Sequence, residues 1–240
     1  GQLGDVGKLP RLGAVGEVAV GQEEHRAHEP RGDADGLEGD VDGMVSLTAR
    51  LSSECERSNA GYGYLLGCHA FGLEEIGRLN EAERVGRAAL EIAPDDAWGL
   101  HAVAHVFETR NQVAEGSGWL EAHRGVWTRC NNLSRHFAWH LALFALGRGD
   151  HESVLDIYDR EVAGDLDGDF RDFANAASML WRLRQAGIDP GEARWAALSE
   201  VAERHARNTT LVFGQLHFLL ALIGAGRLDE AVDLADFIHE

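Results

Sequence analysis

"GRLNEA" at residues 77–82 returns as "GRLDEA" at residues 226–231, with looser versions in "NQVAEG" at 111–116 and "GDHESV" at 149–154. The turns at 77 and 111 lie 34 residues apart, a period typical of helix-turn-helix repeat arrays. A glycine or asparagine at the first position can take the left-handed conformation that ends a helix. The small residue five positions later lets two helices approach closely. These stretches therefore predict turns between paired antiparallel helices.

Long helical periodicity with short breaks extends from Gly61 to the end of the chain, and almost no run alternates in the manner of a strand. Pro94 and the following "DDAW" predict the end of one helix pair and an acidic cap on the next helix. We therefore expect an all-α domain over residues 59–240.

Residues 1–58 have a different composition, with frequent glycine and acidic residues and no aromatic residue. Such a segment buries too little apolar surface to offset the entropy of ordering it. We predict a poorly ordered segment, within which "DGMVSLTARLSSECER" at 42–57 has the pattern of one short amphipathic helix.

The formal net charge of −18 argues against nucleic acid or an anionic membrane as a partner, since both need a positive surface. The chain has three cysteines and no C-x-x-C pair, which favours a reducing compartment. Charged residues within the first twenty positions are incompatible with a signal peptide, and no apolar run is long enough to span a bilayer. We predict a cytoplasmic protein without disulfides.

Within residues 63–94, the positions of the small side chains fit the pattern of the tetratricopeptide repeat, and a second repeat begins near Ala97. A closer resemblance covers residues 61–235: "HAVAHV" at 101–106, "CNN" at 130–132 and "WHLALF" at 139–144 look like the tetratricopeptide repeat protein 38 family. That resemblance implies a right-handed superhelix of antiparallel helix pairs and no settled reaction. The chain departs from the family at its glycine-rich start and ends within a repeat, so we expect a C-terminally truncated domain.

Histidines recur at helical spacing in two neighbouring repeats. His101, His105 and Glu108 are four and three residues apart, and His136 and His140 are four apart. In tetratricopeptide arrays the first helix of each pair lines a concave groove. The register of that family places these five residues on this face, together with Glu74. Trp98 and Trp139 lie near the histidines in the sequence and are further candidates for contact with a ligand.

Three interpretations of this face remain open. The first is a scaffold whose groove binds a peptide or a small polar ligand through histidines and glutamates. The second is a divalent metal site in a metal-dependent, hydrolase-like enzyme, with the same histidines and Glu74 or Glu108 as ligands. The third is that the histidines are packing residues bonded to neighbouring groups in a chain without activity.

Two further predictions concern other parts of the chain. Cys68 and Cys130 are weak candidates for a nucleophile, because adjacent helical residues such as Cys68 and His69 do not face each other. The stretch "LHFLLALIGAG" at 216–226 predicts an exposed apolar face in the last repeat, through which the chain would self-associate.

Overall fold

The computed structural model describes residues 40–131, 133–207 and 211–239, and these residues form helices and connecting turns. Residues 1–39, the larger part of the segment predicted to be poorly ordered, lie outside the described residues. The short helix expected within 42–57 is present as α1, and its Val45 packs against Ala70 and Leu73. The α-helices of the described ranges are α1 Val41–Glu54, α2 Tyr62–Glu75, α3 Leu79–Ile92, α4 Ala97–Thr109, α5 Val113–Ala122, α6 Arg124–Trp127, α7 Leu133–Gly147, α8 His151–Ile157, α9 Phe170–Gln185, α10 Glu192–His205, α11 Val212–Gly224 and α12 Leu228–His239, and a π-helix, Tyr158–Val162, directly follows α8.

Five turns with a left-handed residue separate the two helices of five successive pairs. Four of these residues were marked by the sequence repeats, Gly77, Asn111, Gly149 and Gly226, and their φ angles lie between 55° and 76°. The fifth, Gly187 between α9 and α10, has a φ of 79° in the part of the sequence where the repeat is degenerate. The predicted helix pairs are therefore confirmed as elements of an all-α fold.

Each of these turns is closed by the same backbone hydrogen bond. The N–H that follows the left-handed residue donates to the carbonyl five residues before it, as from Arg78 to Leu73 at 2.8 Å and from Arg227 to Leu222 at 2.9 Å. This is the bond pattern of the Schellman motif, which satisfies carbonyls that the end of a helix leaves open. The repeated glycines and asparagine thus end the first helix of each pair.

The first helices of successive pairs contact each other in chain order, α2 with α4, α4 with α7, α7 with α9 and α9 with α11. Helix α4 is buried from Gly99 to Phe107, because it lies between α2 and α7 and also contacts α3 and α5. Small residues allow the helices to pack this closely. A Cβ atom on Gly116 of α5 would lie 2.3 Å from the ring of Phe144 on α7. Histidines on α4 and α7 are consequently held within one layer of first helices.

The apolar surface of the last pair is only partly buried. Phe218 and Leu222 of α11 are in the core, whereas Leu216 of α11 and Val232 of α12 are about half exposed. Self-association through this surface stays a prediction. Within the described ranges, no helix combines the length and the apolar character that a bilayer crossing requires.

Candidate metal centre

Helix α4 presents His101, His105 and Glu108 on one side because their spacing follows the helical repeat. The helix begins after Asp96, whose carboxylate accepts hydrogen bonds from the backbone N–H groups of Trp98 and Gly99 at 3.2 and 3.0 Å. This is the acidic cap that the sequence predicted after Pro94. Burial raises the pKa of Asp96 to about 6, against the lowering effect of these two hydrogen bonds.

The histidines of α4 and α7 meet through their Nε2 atoms. The Nε2 of His101 lies 2.8 Å from that of His105 and 3.1 Å from that of His140. The Nε2 of His140 lies 3.1 Å from that of His136. Each ring offers one nitrogen to a set whose members all lie within 4.8 Å of one another. The sequence expectation that two helices direct four imidazoles to one place therefore matches this geometry.

A second group holds the opposite edge of three of the rings. The Nδ1 of His105 lies 3.0 Å from Oε2 of Glu74 on α2, and the Nδ1 of His140 lies 2.9 Å from Oε2 of Glu108 on α4. The Nδ1 of His136 lies 3.0 Å from Oδ1 of Asn175 on α9. Contacts from three first helices, α2, α4 and α9, thus fix the orientation of these rings.

These contacts decide which nitrogen of each ring carries a proton. A neutral imidazole has one N–H, and an ionised carboxylate only accepts. His105 and His140 therefore donate from Nδ1, which leaves a lone pair on each Nε2. Both lone pairs face the Nε2 of His101, which can donate one proton to one of them.

When the rings are neutral, His101 can therefore supply a proton to only one of its two Nε2 contacts, with His105 and with His140. The Nε2 contact between His140 and His136 lacks a proton as well, because His136 donates from Nδ1 to the Asn175 oxygen. Lone pairs at about 3 Å repel each other unless a cation lies between them. Convergent Nε2 lone pairs with Nδ1–H groups on carboxylates are the pattern of histidine-ligated metal sites.

The cluster is shielded from water on most sides. His140 is fully buried, and His101 and His105 are 4% and 5% exposed. Phe71 of α2 stacks on His101 with ring centroids 5.9 Å apart, and Phe137 meets the same ring at 5.5 Å. A cation among these nitrogens would be only weakly screened, so its attraction to the lone pairs and to the two glutamates would be strong.

Glu74 and Glu108 occupy places different from those of direct ligands. Each carboxylate lies on the Nδ1 edge of a histidine, which is the far side of the ring from the Nε2 set. The sequence analysis considered them as ligands of the same ion, whereas the geometry makes them orienting groups. Glu74, Glu75 and His105 form a second set with donor atoms within 4.8 Å of one another, and Glu74 already contacts Nδ1 of His105.

The two tryptophans predicted to lie at the site differ in their surroundings. Trp98 is 44% exposed, and its ring lies 5.1 Å from Phe71 and 6.2 Å from His101. Trp139 is buried, and its indole N–H donates to Oγ of Ser178 at 2.9 Å. Trp98 therefore borders the cluster at the surface, and Trp139 supports it from inside.

Asn175 and Phe71 were missed by the sequence analysis. A signal for Asn175 exists in the spacing, because it lies 39 residues after His136, and the contacts from His101 to His140 and from Trp139 to Ser178 span the same 39 residues. The repeat containing Asn175 is degenerate in sequence, so its turn did not point to it. Phe71 carries no comparable signal, because an aromatic residue on a buried helix is usually core.

The cysteines do not resemble activated nucleophiles. Cys55, Cys68 and Cys130 are free thiols, in agreement with the prediction of no disulfide among them. Burial raises the pKa of Cys68, with Asp96 acting in the same direction, and burial raises the pKa of Cys130. A raised pKa reduces the thiolate fraction that a nucleophile needs.

No model of a known protein family matches this chain.

Proposed function

We propose that the chain binds one divalent transition-metal ion through four imidazole nitrogens, the Nε2 atoms of His101, His105, His136 and His140. One observation carries the proposal: four Nε2 atoms converge while Glu74 and Glu108 hold the Nδ1 protons of two of the rings. A site of this kind favours zinc, copper, nickel, cobalt or iron, because imidazole suits these metals. Magnesium and calcium prefer oxygen ligands.

The distances fit such an ion after small movements. Zinc–nitrogen bonds of about 2.0–2.1 Å place tetrahedral ligands about 3.3–3.4 Å apart. The three Nε2 contacts measure 2.8, 3.1 and 3.1 Å, so these pairs would separate by a few tenths of an ångström. The other three pairs of donor atoms lie within 4.8 Å of one another, and they would have to close to the same spacing as the rings turn about their side-chain torsions.

The metal content of purified protein tests the proposal. After chelation and dialysis against zinc, cobalt or iron(II), we expect one equivalent of metal in the wild-type chain and a loss of at least 100-fold in affinity for His101→Ala/His140→Ala. His123→Ala is the control, because that ring lies outside the cluster and bonds to the carbonyl of Trp119. X-ray absorption of the loaded wild type should show nitrogen neighbours near 2.0–2.1 Å and no sulfur. Substoichiometric metal in the wild type would refute the site even if the variant fails to fold.

We propose that the ion supports a metal-dependent reaction of the hydrolase type, in which it activates water or polarises a substrate. Glu74 and Glu108 contact the Nδ1 edges of His105 and His140 and would keep these two histidines in the tautomer that binds metal through Nε2. Screening of ester and phosphoester substrates with loaded and metal-free protein tests this proposal. Turnover that returns with metal is the expected result, and turnover unaffected by chelation would contradict it.

A groove for a peptide or small polar ligand is the second candidate, favoured by the exposure of Trp98 beside Phe71 and the histidines. An exposed tryptophan at the edge of a polar cluster is a common contact surface for ligands. Selection of binding peptides from a random library tests it. Binding that is lost in Trp98→Ala but kept after metal removal would favour a scaffold over an enzyme.

We also propose a relationship to the tetratricopeptide repeat protein 38 family and a right-handed superhelical winding of the helix pairs. The five left-handed turns and the chain-order contacts between first helices support this proposal. Small-angle X-ray scattering of the chain tests the superhelical shape, since a superhelix gives a more elongated distance distribution than a globular bundle of equal mass. A crystal structure tests the right hand of the winding, to which solution scattering is insensitive.

A further inference from the structure

The four histidines are not equivalent, and His136 differs from the others in its burial. His101, His105 and His140 are at least nine-tenths buried, whereas His136 is partly exposed. His136 also lies at one end of the Nε2 series, after His105, His101 and His140 in that order of contact. Solvent and small solutes can therefore reach the centre most readily beside this ring.

The partner of the Nδ1 atom also sets His136 apart. Carboxylates hold Nδ1 of His105 and His140, and a carboxylate on that atom makes an imidazole a stronger metal ligand. His136 has the neutral amide oxygen of Asn175 in the same place. The other end of the series, His105, combines deep burial with the charge of Glu74. Among the three histidines with a defined Nδ1 partner, His105, His136 and His140, His136 is thus the weakest metal ligand.

The surroundings of His136 favour an anion. Its ring stacks on Trp139 at 5.4 Å with an angle of 13° between the planes, and the guanidinium of Arg182 lies 5.1 Å from the centroid of Trp139. The side-chain amide of Asn175, whose oxygen contacts Nδ1 of His136, also carries two N–H donors. A divalent ion with four neutral ligands adds its full positive charge. The volume that His136 would vacate is that of one imidazole, which limits the size of the incoming group.

From these observations we infer that His136 is the exchangeable ligand of the centre and that a small anionic donor displaces it from the metal ion. The inference rests on the proposed metal site and extends it, because it makes the site a reactive one. A metal ion closed by four permanent ligands has a structural role, while one that keeps an open position can bind substrate. The ligand class is a monodentate anion, such as a carboxylate or another small anion with an oxygen or nitrogen donor atom.

Cobalt(II) spectroscopy with azide and imidazole as probes tests the inference. In the wild type, azide should change the visible spectrum of bound cobalt. His136→Ala should keep one equivalent of cobalt and bind azide at least 10-fold more tightly, because the position is already vacant. His105→Ala, at the opposite end of the series, is the matched control and should lose cobalt affinity at least 10-fold more than His136→Ala does.

Asn175→Asp supplies the reciprocal variant. It places a carboxylate of nearly equal shape on Nδ1 of His136, which strengthens this ligand and should weaken the binding of azide at least 3-fold. The binding of imidazole, a neutral probe, should weaken by a similar factor. Such a result shows that the effect does not come from repulsion between the new carboxylate and the anion.

Three outcomes would overturn the inference. The first is a cobalt spectrum that azide leaves unchanged in the wild type and in His136→Ala, and the second is a loss of cobalt from His136→Ala as complete as that from His105→Ala. Either result indicates a closed site that still binds metal. Failure of the wild type to bind cobalt, zinc or iron at all would remove the proposed metal site itself and the inference with it.

Discussion

The Nδ1 atom of His140 on α7 lies 2.9 Å from the Oε2 atom of Glu108 on α4. The same relation joins His105 on α4 to Glu74 on α2 at 3.0 Å, one helix earlier in the layer. A histidine of one first helix is therefore oriented by a glutamate of the preceding first helix, twice in succession. Because the donors face the carboxylates, the acceptor nitrogens face each other, and the convergence of the Nε2 atoms follows from this arrangement.

Replacing Glu108 by Gln should lower metal affinity by about 10–100-fold, as loss of an orienting carboxylate does in other histidine sites. The amide keeps the shape of the side chain but is a weaker acceptor for Nδ1 of His140. Glu74→Gln should act in the same way on His105. Competition with a chromophoric chelator measures both affinities. Glu115→Gln on the exposed side of α5 is the control, and an equal loss in that variant would contradict an orienting role.

Asp96→Asn should change the dependence of stability on pH. Since the pKa of Asp96 is raised from 3.8 to about 6, the folded state holds this proton more tightly than the unfolded state. The contribution of Asp96 to stability is thus fully present below about pH 4 and is lost as the pH rises through 6. Two pKa units correspond to about 3 kcal/mol. Asparagine keeps the helix cap without the buried charge, so the variant should gain about 2–3 kcal/mol relative to the wild type between pH 4 and pH 7.

Denaturant unfolding of both proteins at a series of pH values measures this difference, and the comparison cancels the titration of histidines that both proteins share. Asp150→Asn at the cap of α8 is an informative control of opposite sign, because hydrogen bonds with Ser153 lower the pKa of Asp150. Its variant should lose stability relative to the wild type as the pH rises from the lowered pKa of Asp150 through the usual range of aspartate, and the loss should stay constant at higher pH. A difference in unfolding free energy between Asp96→Asn and the wild type that does not change with pH would contradict the burial of a charged group.

Gly116→Ala and Gly118→Ala, two residues apart on α5, should have opposite effects. A Cβ on Gly116 would lie 2.3 Å from the ring of Phe144, whereas a Cβ on Gly118 would meet nothing within 4 Å. Overpacking predicts a loss of about 1–3 kcal/mol for Gly116→Ala. The better helix propensity of alanine predicts a gain of about 0.5–1 kcal/mol for Gly118→Ala. Thermal or urea unfolding decides between these signs, and equal effects would show that α5 does not approach α7 this closely.

Gly77→Ala should cost about 1–2 kcal/mol although a Cβ there would contact nothing within 4 Å. The cost is conformational, because the φ of 76° is unfavourable for a residue with a Cβ. Gly77→Asn should cost less, as Asn111 occupies the equivalent turn with a φ of 55°. Equilibrium unfolding of the two variants gives the comparison. A larger loss for asparagine than for alanine would contradict the left-handed turn.

The turns and the spacing of histidines were readable in the sequence because both are local properties. Gly77, Asn111 and Gly226 mark helix ends through the conformation of one residue, and all three have the left-handed φ that was predicted. The four-residue step from His101 to His105 places both on one face of any helix. The turn at Gly187 was overlooked because the residues around it depart from the repeat.

The roles of Glu74, Glu108 and Asn175 could not be predicted in the same way. A sequence pattern places a side chain on a face, but it does not say which ring edge that side chain reaches. The carboxylates were candidates for direct ligands, and the structure instead puts them on the Nδ1 edges of His105 and His140. The amide of Asn175 required the packing of α9 on α7, which no local signal describes.

The sequence by itself determined that residues 59–240 are helical, where four of the five helix pairs turn, and that imidazoles share one face of α4 and one face of α7. Only the tertiary structure decided that four Nε2 atoms meet while carboxylates and an amide hold the opposite edges of three of the rings. The physical reason is that axial offsets between neighbouring helices are set by side-chain packing, as between Gly116 and Phe144, and a shift of one residue would separate these nitrogens.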